Sequence, residues 1–304
     1  MRKAMGTGWL IHKEVEEPAG LGSTRLMEDV MPQPMIRPLE PEKPIQRVQT
    51  RWPAERMAAV ETLWGPGYLG PGGAEETLRL TKPLGLTNNS TLILLGGGLG
   101  GPALTVSHSF RAWVTSLEAD PVLRATADER RPVLDLNKRI TIQGWERDKP
   151  AFKPRSANHA LSLEALRGTP PLPFITSLAG ALRPQGQVVM TELVADQPAP
   201  ADDREFGAWC RLEDRLPTLP RVADISGALE RQKFDVRVVE DISDRHVRQT
   251  LEGWRAAVKA MEAGVRPAAA AAASFVNEAE LWLLRLRLMR RLDLRLVRWH
   301  ALSP

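Results

Sequence analysis

Leu92-Ile-Leu-Leu-Gly-Gly-Gly-Leu-Gly-Gly101 is the stretch on which the fold turns. Aliphatic residues from Thr91 to Leu95 run into glycines. A helix-compatible run follows over roughly Gly101 to Arg111, and a second apolar run, Ala112 to Leu117, stops at Glu118. Strand, glycine turn, helix, strand and acid is the order in which nucleotide-bearing cofactors are held. Glycine lets the backbone approach a ligand where a side chain would collide, and the helix start aims free amides at polar groups. Glu118 stands twenty-two residues after Gly96, where a carboxylate at a strand tip can accept both ribose hydroxyls.

Outward from this loop the pattern continues as alternating helix and strand. Helical spacing appears around Met57, Val60 and Trp64, then "GPGYLGPGG" (Gly65 to Gly73) breaks it, and "AEETLRLTKPLGL" leads into the first strand. Downstream, the apolar pattern predicts a helix over Pro121 to Asn137, a strand over Ile140 to Gln143 and another over His159 to Leu163. A helix over Pro173 to Leu182 and a strand over Gln187 to Leu193 follow. The remainder reads as a helix near Phe206 to Leu216, a further helix leading into a strand over Phe234 to Glu240, helices at Val247 to Ala263 and Asn277 to Leu292, and a last strand, Leu294 to Ala301. Such alternation implies a mostly parallel sheet covered on both faces. The alanine run Ala268 to Ala273 reads either as a linker or as the start of the following helix.

Residues 1–50, rich in proline and charge, show no sustained period and read as a flexible tail; 51–304 read as one α/β domain. The 304 residues, 43% apolar with a net charge of +4, can bury a large core and require no polyanionic partner. Nothing resembles a nucleic-acid module. One cysteine, Cys210, excludes an internal disulfide, and five scattered histidines show no metal spacing, so no metal is expected. The start lacks a secretory signal and no stretch is long and apolar enough to span a bilayer, which points to the cytoplasm.

Two cofactor classes fit the loop. Gly96, Gly98 and Gly101 satisfy G-x-G-x-x-G, so a nicotinamide or flavin dinucleotide is compatible, although the loop lies about ninety residues into the chain. Gly96-x-Gly98-x-Gly100 also resembles the glycine motif of the class I S-adenosylmethionine-dependent methyltransferases, with Glu118 in the place of their ribose acid. "SLAGALRPQGQVVMTEL" (Ser177 to Leu193) is similar to that family's helix, turn and fifth strand, and the closing strands fall in its order. "LWGPGYLGPGGAEETLRL" (Leu63 to Leu80) is similar to the segment before the glycine loop in the branch acting on phosphoethanolamine, sterols and tocopherols.

The resemblance covers roughly residues 56 to 304. It implies a Rossmann-like, mostly parallel seven-stranded sheet with helices on both faces, S-adenosylmethionine as cofactor and a small, amphiphilic methyl acceptor. It implies Gly96, Gly98, Gly100 and Glu118 as cofactor-holding residues, Glu146 or Asp148 against the adenine amine, Trp145 stacking on it, and Tyr68 closing over it. Acceptor loops would be residues 56–73, a helix and cap loop, and 196–265, a substrate-side insertion. The chain departs from the family at Leu94, where an acid usually stands, and at Asn158, near an expected aspartate. A missing charged hydrogen-bond partner costs about 1.5 to 3 kcal/mol.

Methyl transfer from a sulfonium needs little acid-base chemistry, so a catalytic side chain leaves little trace. Tyr68 reads as a cofactor lid or a packed loop aromatic. Glu164 reads as an acceptor-orienting carboxylate or a helix cap, and His159 as a base or a structural histidine. "LWLLRLRLMRRLDLRLVRW" sets six arginines between Arg285 and Arg298 against Asp293 alone. It reads as a basic amphipathic element for an anionic membrane or a phosphorylated substrate, or as a core helix and strand with solvated arginines. Beside the enzyme stands a second function class, a non-catalytic descendant of the fold serving as a binding or scaffold protein.

Overall fold

The computed structural model describes residues 51–130, 138–200, 202–264, 269–291 and 294–304. The proline-rich stretch read as a tail lies outside them, as do 131–137, the end of the helix expected to reach Asn137. In chain order come α1 (Ala54–Trp64), α2 (Gly73–Thr81), a 3-10 turn at Lys82–Leu84, β1 (Thr91–Leu95), α3 (Gly101–Phe110) and β2 (Trp113–Glu118). Next are α4 (Pro121–Arg130), β3 (Ile140–Gly144), β4 (Ala157–Leu163), α5 (Pro171–Ala181) and β5 (Leu182–Val194). The chain closes with α6 (Arg204–Glu213), α7 (Val222–Arg231), β6 (Asp235–Asp241), α8 (Ser243–Glu262), α9 (Ala269–Arg291) and β7 (Arg295–Leu302).

Among the described residues seven strands form one sheet in the order β3-β2-β1-β4-β5-β7-β6. Neighbours pair in parallel from β3 to β5, and β7 runs antiparallel to both β5 and β6. Strand order reverses between β1 and β4, and in open α/β sheets the crevice at that reversal, outside the carboxyl ends of the strands, is where ligands bind.

Side-chain parity divides the core. Successive residues of a strand point to opposite faces: Ile93 and Leu95 pack with Phe174, Ile175 and Ile225 of α5 and α7, while Leu92 and Leu94 pack with Ala103 and Val106 of α3. Leu94 is therefore fully buried beneath α3. The strand pair β1 and β4 is stapled by Asn158, whose Oδ1 accepts from the Thr91 amide at 2.9 Å and the Thr91 hydroxyl at 2.8 Å. Asn158 is thus a structural residue of the sheet.

Three expectations shift. The "LRPQG" turn joins β5, whose first residue pairs with Ala157 across a register irregularity, and Gln185 takes φ +61° to keep the turn in the ladder. The alanine run enters α9, which starts at Ala269, as alanine's helix propensity favours. Of the stretch 196–265, α7 and β6 belong to the layers of the sheet, and α6 and α8 reach the crevice.

Candidate active site

A cleft with a cavity volume of about 190 Å³ opens at the carboxyl ends of β1, β2, β4 and β5. Gly96, Gly97 and Gly98 form its floor. Each is required by contact: a Cβ on Gly96, at φ +75°, would collide with the Leu163 carbonyl oxygen. On Gly97 it would lie 2.5 Å from Ser116 Oγ, and on Gly98 2.7 Å from Leu69. Gly100 does not reach the cleft. It caps α3 at φ +96°, and a Cβ there would touch Ala127 of α4. Its role is to start the helix, not to hold a ligand.

Glu118 ends β2 and is 5% exposed at the wall of the cleft. Its Oε2 accepts the Gly98 amide at 2.9 Å and its Oε1 accepts the Asp120 amide at 3.0 Å. Burial raises its pKa, while these amides and the charges of Arg167 and Arg147 pull the other way. Each oxygen keeps a lone pair for a further donor. Trp145 lines the cleft behind β3 and is fixed by Phe152 and Phe174, with ring centroids 5.6 and 5.7 Å away. Glu146 is exposed and lines nothing in the cleft, and Asp148 is likewise exposed. The backbone alternates after β3, so Trp145 and Arg147 face inward and Glu146 outward.

Tyr68 sits in the cap loop between α1 and α2 and lines the cleft, but its hydroxyl is tied to α3 through Thr105 Oγ1 and the Gly101 carbonyl. The loop lies flat on the helix start because Gly101 donates to the Gly67 carbonyl at 2.9 Å, an approach that a Cβ on either glycine would block. Tyr68→Phe is therefore expected to lower stability by about 1 kcal/mol. Affinity for S-adenosylhomocysteine should stay within about threefold; a larger loss would put the hydroxyl on the ligand.

His159 does not line the cleft. It pairs with Leu92 inside the sheet, four positions before Leu163, about 13 Å from the carboxyl edge. Burial lowers its pKa. Glu164, by contrast, is the first residue past β4, held at φ +45° as its backbone N–H donates to the Thr191 carbonyl at 2.9 Å. Its carboxylate lines the cleft and accepts Arg285 Nη2 at 2.7 Å.

The arginine-rich end forms α9 and β7, with ion pairs along both. Arg285 is buried, where an amphipathic reading would leave it exposed, because α9 turns it to the same side as Leu281, Leu284 and Leu288. Arg291 pairs with Asp203, Arg287 with Glu205, Arg295 with Asp196 and Arg298 with Glu240. Arg285 Nη1 also reaches Glu213 Oε1 at 2.6 Å, and Arg215 lies between Glu213, at 2.9 Å, and Glu192, at 3.5 Å. Burial, the largest single influence, pushes the Glu164 and Glu213 carboxyls up, but Arg285 together with Arg215 and Arg167 outweighs it and holds both below the usual range. Glu192 stays at about 7, raised by burial against the pull of Arg215. The network went unseen in the sequence; its one trace was an arginine on an apolar helix face.

No protein-family profile matches the chain. It is 25% identical over 195 residues to a phosphoethanolamine N-methyltransferase of Plasmodium falciparum, covering 62% of this chain and 70% of that protein. Its fold superposes on phosphoethanolamine N-methyltransferase 2 of Haemonchus contortus in complex with S-adenosyl-L-methionine, with a TM-score of 0.72 at 19% identity over 84% of this chain. The chain has the fold of the class I methyltransferases. It spans 58% of the length of the Haemonchus chain. The same fold is shared by the [4+2]-cyclase SpnF, with a TM-score of 0.62, 17% identity and coverage of 83% of this chain and 97% of that one, so the fold alone does not fix the reaction. This fold differs from the dinucleotide folds in its antiparallel β7 between β5 and β6, against their order 3-2-1-4-5-6. Among the described residues no helix is long and apolar enough to cross a membrane.

Proposed function

We propose that the protein transfers a methyl group from S-adenosylmethionine to a small molecule. When bound, that cofactor supplies a methyl group already activated on a sulfonium, so the chain has to align donor and acceptor and exclude water. The residues present fit it: three consecutive glycines bring bare backbone to the floor of the cleft, and Glu118 presents a buried carboxylate with lone pairs to spare. Gly96 and Gly98 give backbone approach, Glu118 takes a hydroxyl pair, and Trp145 offers a ring face. Leu69 and Tyr68 cover the cleft from the cap loop, and Leu281 and Leu296 add apolar wall suited to a partly apolar acceptor. Leu94 lies under α3 and takes no part, so the grip of an acid there is not replaced by it. The single cysteine keeps the reducing cytoplasm as the compartment of this reading.

The observation that carries the proposal is the Glu118 carboxylate beside the glycine floor. Calorimetric titration with S-adenosylhomocysteine is expected to give micromolar binding, and Glu118→Ala to weaken it by about tenfold to a hundredfold. Titration with NAD(H) is expected to give none. No binding of either molecule at millimolar concentration would leave a non-catalytic binding protein as the better reading. The relatives carry phosphoethanolamine in their names; the charges around the acceptor half of this cleft point elsewhere.

A further inference from the structure

We infer that the methyl acceptor of this protein carries no phosphate or other anionic group, an inference that rests on the methyl-transfer reading. The acceptor half of the cleft lies past β4 and β5, between α6, α8 and α9. Three guanidiniums reach it, and the chain's own carboxylates already hold each one. Arg285, 4% exposed, spans Glu164 and Glu213 at 2.7 and 2.6 Å with its charge 5.1 Å over the Trp282 ring. Arg245 sends Nε and Nη2 to Glu76 at 3.1 to 3.2 Å, and Gln249 adds a donor at 3.0 Å. Arg56 binds Glu278 at 2.7 Å and covers the Trp52 ring at 4.2 Å.

A phosphate is gripped by guanidinium forks that are free to turn toward it. Here an incoming phosphate would have to strip Arg285 from Glu164 and Glu213, leaving Glu164 without its ion-pair partner and Glu213 with Arg215 alone, and breaking a largely buried pair from one side is its costly mode of failure. The other lining arginines offer no substitute. Arg51 pairs with Asp214, and Arg167 donates to the Glu213 carbonyl with its charge shared among Glu118, Glu164 and Glu213. Arg147, 4.0 Å from Asp214, faces Glu118 on the cofactor side. Carboxylates among the lining residues outnumber guanidiniums, seven to six, so the cleft has no surplus positive charge to draw in an anion.

The test uses the full-length protein saturated with S-adenosylhomocysteine, titrated with phosphoethanolamine and with inorganic phosphate. Wild type is expected to show no saturable binding of either up to about 10 mM. Glu213→Gln, which removes one of the two carboxylates holding Arg285, is expected to bind phosphoethanolamine at least about tenfold more tightly than wild type. Glu164→Gln, a change at the more exposed partner, gives the same readout if Glu213→Gln fails to fold. Submillimolar binding of phosphoethanolamine by wild type overturns the inference. So does the absence of any gain in a variant that still binds S-adenosylhomocysteine. Failure of wild type to bind S-adenosylhomocysteine shows separately, in the loading step, and takes the methyl-transfer reading and this inference down together.

Discussion

Gly96→Ala is expected to abolish saturable binding of S-adenosylhomocysteine and to lower stability by about 3 kcal/mol or more. Two costs add. Gly96 holds φ +75°, a left-handed conformation that costs an L-residue about 1 to 2 kcal/mol. The added methyl would also overlap the carbonyl oxygen of Leu163, a backbone atom of β4 fixed between β1 and β5. A flexible side chain could swing away, but an interior strand cannot, so the loop has to lift. Lifting it draws the Gly98 amide off Glu118 and uncovers a carboxylate whose pKa burial has already raised. Gly180→Ala is the matching control: near the end of α5 a Cβ there meets nothing within 4 Å, and the change is expected to be neutral or to stabilise by about 0.5 to 1 kcal/mol. Urea unfolding and calorimetry on both variants decide it. A Gly96→Ala protein that unfolds and binds like wild type would show that the floor of the cleft is not built on this contact.

The same contact explains why so much of the cofactor half was legible in the sequence. A strand that must end in a backbone approach writes itself as aliphatics followed by glycines, and the partner strand announces its end with the acid at Glu118. What parity and turns decide was less legible. Whether Glu146 or Arg147 faces the cleft depends on how the chain leaves β3, which no spacing records. His159 looked close to the site because its strand is short. Pairing with Leu92 sets it well inside the sheet. Gly100 satisfied a motif and serves a helix start instead. Leu94 was noticed for the acid it replaces, and parity shows that its side chain packs under α3. Of the acceptor half, Glu164 was legible but the network around it was not, since the partners of Arg285 come from positions 121 and 72 residues earlier in the chain.

Removing that arginine should therefore be among the most damaging single changes outside the glycine floor. Arg285→Met keeps the stem of the side chain against Leu281 and Leu288 and deletes the charge, leaving Glu164 without its ion-pair partner and Glu213 with Arg215 alone. A loss of about 3 to 5 kcal/mol is expected at neutral pH. The pH dependence gives the loss its signature. In the wild type both carboxyls titrate below their ordinary 4.5, so the stability they add is complete above about pH 4.5 and drains away as pH falls through the folded values. In the variant burial is opposed by Arg215 and Arg167 without Arg285, so both folded values move up and the stability that the pair adds above pH 4.5 shrinks. The gap between the two proteins should thus be widest at neutral pH and narrow toward about pH 4. Glu192, with its folded value near 7, lowers stability as pH rises from about 4.5 to 7 in both proteins, so that slope largely cancels in the difference. Arg285→Lys should recover only part of the loss, because one ammonium cannot present the fork that spans two carboxylates. Urea midpoints of the three proteins across about pH 4 to 8 give the comparison. A gap that stays constant with pH would mean that Arg285 acts through its packing alone. The two carboxylates would then be free to face an acceptor without it.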